Sequence, residues 1–300
     1  MAMIGYEEGI IYDFNKTHEP IRKVQSGSTV TIQTYDCFQN QIQSPDTEVA
    51  AIDWDKINPA TGPLYVEGAM PGDVLKVQIE RIDIGQQGVM VVGPELGVMG
   101  HALTKMESKV VPITDEHVLF NDLRIPLNKM IGVIGVAPEG EGINCGTPGA
   151  HGGNMDNKMV TEGATLYFPV FAKGALFALG DLHAAMGDGE VSVSGVEVAG
   201  EVTVTLTVLK DVSLRHPMLE NANAFTQIVS APTLDEAAKT AATEMIERIV
   251  EKSALPVSEV TMLMSAIGQS EICQIVDPLM TARFVVPKWA LEKICGSFFE

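Results

Sequence analysis

The 300-residue chain is 46% hydrophobic, enough apolar material for a substantial core in one large domain or two closely packed ones. Its 20 Lys and Arg stand against 39 Asp and Glu, and the formal charge of -19 repels phosphate backbones and anionic lipid, so neither nucleic acid nor a membrane is an expected partner. The acidity itself fits either a solvated acidic surface or bound divalent cations.

No run approaches the ~18 apolar residues of a membrane span, and residues 1–13 carry no basic leader with an apolar core, so the expected location is cytoplasmic. Cys37, Cys145, Cys273 and Cys295 lie far apart with no C-x-x-C pair; reduced thiols are expected, not a zinc knuckle or a disulfide framework.

Residues 29–35 alternate with period two and predict a strand that ends at Asp36. The Asp36 carboxylate either caps the following turn or joins a polar cluster from a distant strand. Residues 58–63, Asn-Pro-Ala-Thr-Gly-Pro, predict a turn, 64–67 a short strand and 70–73 another turn. In residues 74–82, Leu75, Val77 and Ile79 point one way and Lys76, Gln78 and Glu80 the other, the pattern of a half-buried strand. Apolar runs at 89–92, 110–113, 118–120, 131–136, 166–171 and 176–179, and the alternation over 201–209, add further short strands; their regularity predicts a sandwich or barrel. Residues 138–149 form a glycine-rich loop that delivers the chain to His151, and the absence of Gly-Lys-Ser/Thr rules out a phosphate loop.

The pattern changes after about residue 230. Thr233 and Glu236 predict a capping box and a helix to about Ser253. Its rows Ala237, Ala241, Met245, Ile249 and Ala238, Ala242, Ile246, Val250 face inward, leaving Lys239, Glu244, Glu247 and Glu251 in water. A second helix is predicted over 257–268, and a third from Pro287 to near Ile294. The expected fold is mainly β with α+β elements: a β-rich body over 1–225, sandwich or barrel, and a helix-containing α/β portion over 226–300 packed on it with no catalytic signal of its own.

Candidate chemistry concentrates in residues 151–190. Asp181 and His183 stand two apart at the end of the 176–179 run, so an extended backbone projects both to one side, as two ligands of one ion or as an Asp–His hydrogen bond without metal. His151, Asn154 and Asp156 follow the glycine loop and read as a ligand-binding group or as turn-stabilising side chains. Residues 187–190, Gly-Asp-Gly-Glu, read first as a hairpin turn that leads Glu190 into the next strand, where its carboxylate serves as a ligand or a general base. Glu197 and Glu201 fit further ligands or exposed strand positions. Cys145 is a candidate nucleophile near His151, and His101 a pocket or core histidine.

Asn58-Pro59-x-Thr61-Gly62-Pro63, Val66-Glu67-Gly68-Ala69 with Pro71-Gly72-Asp73, His151-Gly152-Gly153-Asn154-Met155-Asp156, Phe168-Pro169-Val170, and Gly180-Asp181-x-His183-Ala184 with Gly187-Asp188-Gly189-Glu190 resemble, in order over most of the chain, the acetamidase/formamidase family. The resemblance implies a cytoplasmic hydrolase of short amides acting on carbon–nitrogen bonds other than peptide bonds, a β-sandwich-rich fold, a homodimer or higher homo-oligomer, and a divalent metal, zinc or calcium. Met186 departs from it, standing where many relatives are expected to carry glutamine. On this reading the ion sits among Asp36, Asp181 and His183, with Asp156 or Glu197 as additional ligands. Glu190 acts as general base and acid, and His151 and Asn154 orient the amide or stabilise the oxyanion. The competing readings are a Cys145-dependent amidase and a metal-stabilised β protein that binds small ligands without turnover.

Overall fold

The structure, a computed structural model, describes residues 2–299; Met1, where the N-terminal reading begins, and Glu300 lie outside the described residues. Alternation builds its central sheet. Within the strand Val74–Ile84, Leu75, Val77 and Ile79 are buried while Glu80 is exposed. That strand pairs antiparallel with Gly200–Leu209 on one side and Thr165–Pro169 on the other. The complete nine-stranded sheet runs Ala2–Ile4, Ser28–Thr34, Gly200–Leu209, Val74–Ile84, Thr165–Pro169, Met218–Glu220, Ala224–Ala231, Met280–Pro287, Gln269–Gln274.

A second nine-stranded sheet contains the path Gly152–Asn154, Met130–Gly135, Phe177–His183, Glu197–Val198, Gln87–Val92, Glu107–Pro112. Ala60–Val66 also pairs with Phe177–His183. Val30, Ile32, Val77 and Val204 of the first sheet share one buried cluster with Leu64, Ile131, Ile134, Leu179 and Leu182 of the second, so the body is a β-sandwich. Each such side chain contributes about 1.5–3 kcal/mol relative to leaving it in water.

The strand at 60–66 begins earlier than the sequence pattern suggests. Thr61 is drawn into it because its hydroxyl donates to Gln33 O at 2.7 Å, while its backbone pairs with Leu179.

Helix α1, Leu234–Lys252, starts where predicted: Thr233 accepts a hydrogen bond from the Glu236 amide at 3.2 Å. Ala237, Ala241, Met245 and Ile249 are buried, as their row requires. Glu244, expected in water, is instead buried, because His216 Nδ1 and Arg215 Nε meet its carboxylate at 2.8 and 3.1 Å. Helices α2, Val257–Ile267, and α3, Lys288–Ile294, also follow the predicted positions.

Residues 225 and 226, where the sequence divides body from C-terminal portion, are neighbours inside the strand Ala224–Ala231. The chain beyond them continues the first sheet, and α1 and α2 cover it through a second cluster containing Phe225, Val229, Met245, Ile249, Val260, Met264 and Phe284. No helix among the described residues is long and apolar enough to cross a membrane.

Candidate active site

The strand Phe177–His183 is buried at every position, and so is its neighbour Met130–Gly135. Two carboxylates nevertheless fit there, because the neighbour has no side chain at Gly132. A Cβ at that position would lie 2.4 Å from Asp156 Oδ1 and 2.5 Å from Asp181 Oδ2. Gly195 does the same for the histidine, since a Cβ there would come within 2.6 Å of His183 Nδ1.

Around His183 Nε2 stand Glu197 Oε2 at 3.0 Å, Asp181 Oδ1 at 3.4 Å, Asp156 Oδ1 at 3.9 Å and Glu190 Oε1 at 4.0 Å. The contacts are close but not aligned as hydrogen bonds: both His183 nitrogens, both Asp156 oxygens, Asp181 Oδ1 and Glu197 Oε2 are buried without a hydrogen-bond partner. Asp156, Asp181 and Glu190 hold φ of 40°, 54° and 46°, the left-handed region that side chains seldom occupy. Their backbones are therefore held in place by their surroundings.

Burial pushes the Asp156, Glu190, Glu197 and Asp277 carboxyls well above the usual carboxylate range. Burial also opposes a charge on His183, but the Glu197 and Asp181 carboxylates outweigh it and raise the imidazole pKa. The same histidine holds Asp181 below its ordinary value against the effect of burial.

Donor atoms of Cys37, Asp181 and Glu197 lie within 4.8 Å of one another, as do those of Asp156, His183 and Glu190. Buried charges are normally paired or hold a metal, and these imidazole and carboxylate donors, with the Cys37 thiol beside them, fit a divalent cation. Cys37, Asp181, Glu190 and Glu197 open on a cavity of about 320 Å³ whose lining also includes Asn154 and Asp277, with Asp156 and His183 behind them. Phe38 and Trp54, ring centroids 6.5 Å apart and edge to face, supply part of its apolar wall.

The structure thus brings together Asp156, Asp181, His183, Glu190 and Glu197. Asp36 is buried at the end of Ser28–Thr34, and its Oδ1 accepts from the Phe38 and Asn40 amides at 3.0 and 2.6 Å. Burial raises its pKa to about 6. His151 is buried edge-on to Phe14 with both ring nitrogens unpartnered, burial lowers its pKa to about 4, and it does not line the cavity.

Glu190 does not enter a strand. Residues 187–190 are irregular, because Asp188 is taken up by Arg283 and Lys158 at 2.8 and 2.7 Å instead of turning a hairpin. Glu201 is half-buried and accepts a hydrogen bond from Gln33. His101, expected in a pocket or core, is exposed in the short turn Gly100–Ala102. Cys145 packs with Ile11, Phe14 and Val133, donates to Ile11 O, and has its thiol pKa raised by burial, an environment unsuited to a nucleophile.

Cys37 and Asp277 went unread in the sequence. Cys37 carries a weak signal, since it directly follows Asp36 in a segment too polar for core. Asp277 has none: it lies in the turn between Gln269–Gln274 and Met280–Pro287, far along the chain from the other cavity residues.

A β-sandwich that buries four carboxylates around one imidazole, three of them on the wall of a small cavity, has the make-up of a small-molecule enzyme site. The Acetamidase/Formamidase family profile matches residues 11–144 and 139–233, and the chain belongs to that family. Membership places it among hydrolases of carbon–nitrogen bonds in linear amides. The chain is 48% identical to a predicted acetamidase/formamidase from the thermophile Thermoanaerobacter tengcongensis, whose crystal structure superposes with a TM-score of 0.96 over 98% of this chain and 97% of that one. It is 46% identical to an acetamidase from Bacillus halodurans, TM-score 0.95, over 97% and 99% of the two chains. A formamidase from Methylophilus methylotrophus is 26% identical over 253 residues, 64% of this chain and 62% of that protein, so the match spans less than two thirds of that relative.

Proposed function

We propose that the protein hydrolyses short-chain amides, formamide or acetamide, to carboxylate and ammonia, with a divalent cation held by the cluster around His183. The observation that carries this reading is the convergence of Asp156, Asp181, Glu190 and Glu197 on His183, buried and largely unpartnered, at the wall of the cavity. Cys37, Asp181, His183 and Glu197, with Asp156, are the proposed ligands, and Asp36 braces the turn that carries Cys37. Thiol and imidazole donors favour zinc, while the carboxylate-rich side also suits calcium.

An unactivated amide resists water because its carbonyl is resonance-stabilised and its amine leaves poorly. When bound, a zinc-like cation supplies Lewis acidity and makes water acidic enough, toward a pKa of ~7, to react at neutral pH. Glu190 carries the proton: its raised pKa suits a group that accepts a proton from water and returns it to the leaving nitrogen. Asn154 Nδ2 is committed to Asp277, which leaves Asn154 Oδ1 to accept from the amide N–H. His151, neutral and outside the lining, is assigned no substrate contact. A cavity of about 320 Å³ stands at the small end of the range for ligand pockets and favours short amides. The reading includes a cytoplasmic homodimer or higher homo-oligomer, which the sequence motifs imply by their resemblance.

Ammonia release from formamide and acetamide tests it, measured as isolated, after chelation, and after zinc or calcium is restored. Activity is expected to vanish with the metal and return with one of the two ions. Ammonia that survives complete metal removal overturns the metal centre; no ammonia under any condition overturns the choice of substrates.

A further inference from the structure

Arg283 is one of the largest fully buried side chains, 1% exposed, on the strand Met280–Pro287 of the C-terminal portion. Its guanidinium reaches three separate segments. Nη2 donates to Asp188 Oδ2 at 2.8 Å, Nη1 to Asn157 Oδ1 at 2.9 Å, and Nε to Glu271 Oε2 at 2.7 Å. Asn157 directly follows Asp156, and Asp188 stands two residues before Glu190.

Asp156 and Glu190 have left-handed backbones, and their carboxylates lie 3.9 and 4.0 Å from His183 Nε2. Neither residue belongs to a strand, so sheet pairing does not hold them. The segment bearing Glu190 is instead pinned to the C-terminal hairpin: the Gly189 amide donates to Cys273 O at 2.8 Å and the Ile275 amide to Gly189 O at 3.2 Å. Arg283 adds side-chain hydrogen bonds that tie both this segment and the Asp156 segment to a common rigid strand. Lys158 also reaches Asp188, at 2.7 Å, but from the Asp156 side, and it does not touch the hairpin strand.

We propose that Arg283 is a positioning residue that sets where Asp156 and Glu190 stand relative to His183, acting through Asn157 and Asp188. A planar fork with several fixed donors can span two acceptors on different segments, whereas a lysine ammonium, a point charge on a flexible stem, cannot reproduce that span. Charge alone is therefore separable from geometry. If Arg283 served only to neutralise Asp188 and Glu271, lysine would replace it.

The proposal deepens the amide-hydrolase reading and rests on it for the kinetic readout only. Arg283→Lys keeps the buried charge; Asp188→Ala removes the acceptor from the more exposed side and leaves the core intact should the first variant fold poorly. Both are expected to lower kcat by about ten- to a hundredfold, the effect of a displacement near 1 Å, with KM changed by less than about threefold. Crystal structures of the variants are expected to show Glu190 or Asp156 displaced from His183. Folded variants with wild-type kcat and with both carboxylates in place overturn the proposal. An enzyme inactive toward every amide would defeat the functional reading instead, and the carboxylate positions in the variant crystals would still decide the role of Arg283.

Discussion

Asn154 Nδ2 donates to Asp277 Oδ2 at 3.1 Å, joining the short strand after the glycine loop to a turn 123 residues further along the chain. That bond fixes which way the Asn154 amide is turned, and it makes the C-terminal portion a contributor to the cavity wall. Asp277→Ala removes the acceptor and frees the Asn154 amide to rotate. An ordinary hydrogen bond is worth about 0.5–1.5 kcal/mol, so kcat/KM for acetamide is expected to fall roughly two- to tenfold. Metal content should stay near wild type, since Asp277 belongs to neither donor group. Unchanged kcat/KM would remove Asp277 from the site.

Burial raises the thiol pKa of both Cys37 and Cys145, but their neighbours differ. Cys37 lies within ligand distance of Asp181 and Glu197, whereas Cys145 packs among Ile11, Phe14 and Val133. Cys37→Ser is therefore expected to weaken zinc binding by about tenfold or more, read by competition with a chromogenic chelator, because a hydroxyl is a poor substitute for a thiolate. Cys145→Ser should keep turnover within about twofold while lowering stability by about 1–3 kcal/mol, since it puts a stronger hydrogen-bonding group into an apolar cluster. Loss of turnover in the Cys145 variant with zinc retained would revive the thiol mechanism.

Gly132 leaves room for Asp156 and Asp181 above the sheet. In Gly132→Ala the new methyl group would sit 2.4 and 2.5 Å from their carboxylate oxygens, closer than any real contact, so one carboxylate must move. Asp181 belongs to a packed strand and Asp156 is fully buried, so neither yields cheaply. Turnover is expected to drop at least about a hundredfold, with a stability loss of about 1–3 kcal/mol. Gly140→Ala, where nothing lies within 4 Å of the added carbon, is the control and should behave as wild type. Equal behaviour of the two variants would mean that the carboxylates are not fixed where the structure puts them.

Local patterns made most of the fold legible. Leu75, Val77 and Ile79 announced their strand by alternation, and Thr233 announced its helix by capping chemistry, because both signals are set within a few residues. Asp181 and His183 were legible for the same reason, sharing one strand two positions apart. What could not be read depended on partners far along the chain. Glu244 looked like a solvent residue until His216, 28 positions away, was found against it. Asp188 read as a hairpin turn because nothing local hints at Arg283, 95 positions on. The left-handed backbones of Asp156, Asp181 and Glu190 carry no glycine to flag them and follow only from tertiary constraint.

His151 gives a pH signature independent of catalysis. Burial lowers its pKa from the ordinary 6.5 to about 4. Between those values the unfolded chain binds more protons than the folded one, so this histidine makes stability rise with pH across that window. Its contribution is complete above about 6.5 and is lost as pH falls toward 4, amounting to roughly 3 kcal/mol for a shift of that size. Asp36, raised by burial from 3.8 to about 6, acts with the opposite sign, favouring the folded state at the acid end of nearly the same interval. Bulk stability therefore mixes the two, and a comparison with His151→Gln separates them. Urea unfolding at several points between about pH 7 and about pH 4.5 should show a wild-type stability that drops relative to the variant as pH falls. A difference that stays constant across the range would mean the imidazole is not held neutral in the folded protein, and that its unpartnered nitrogens have found a proton acceptor.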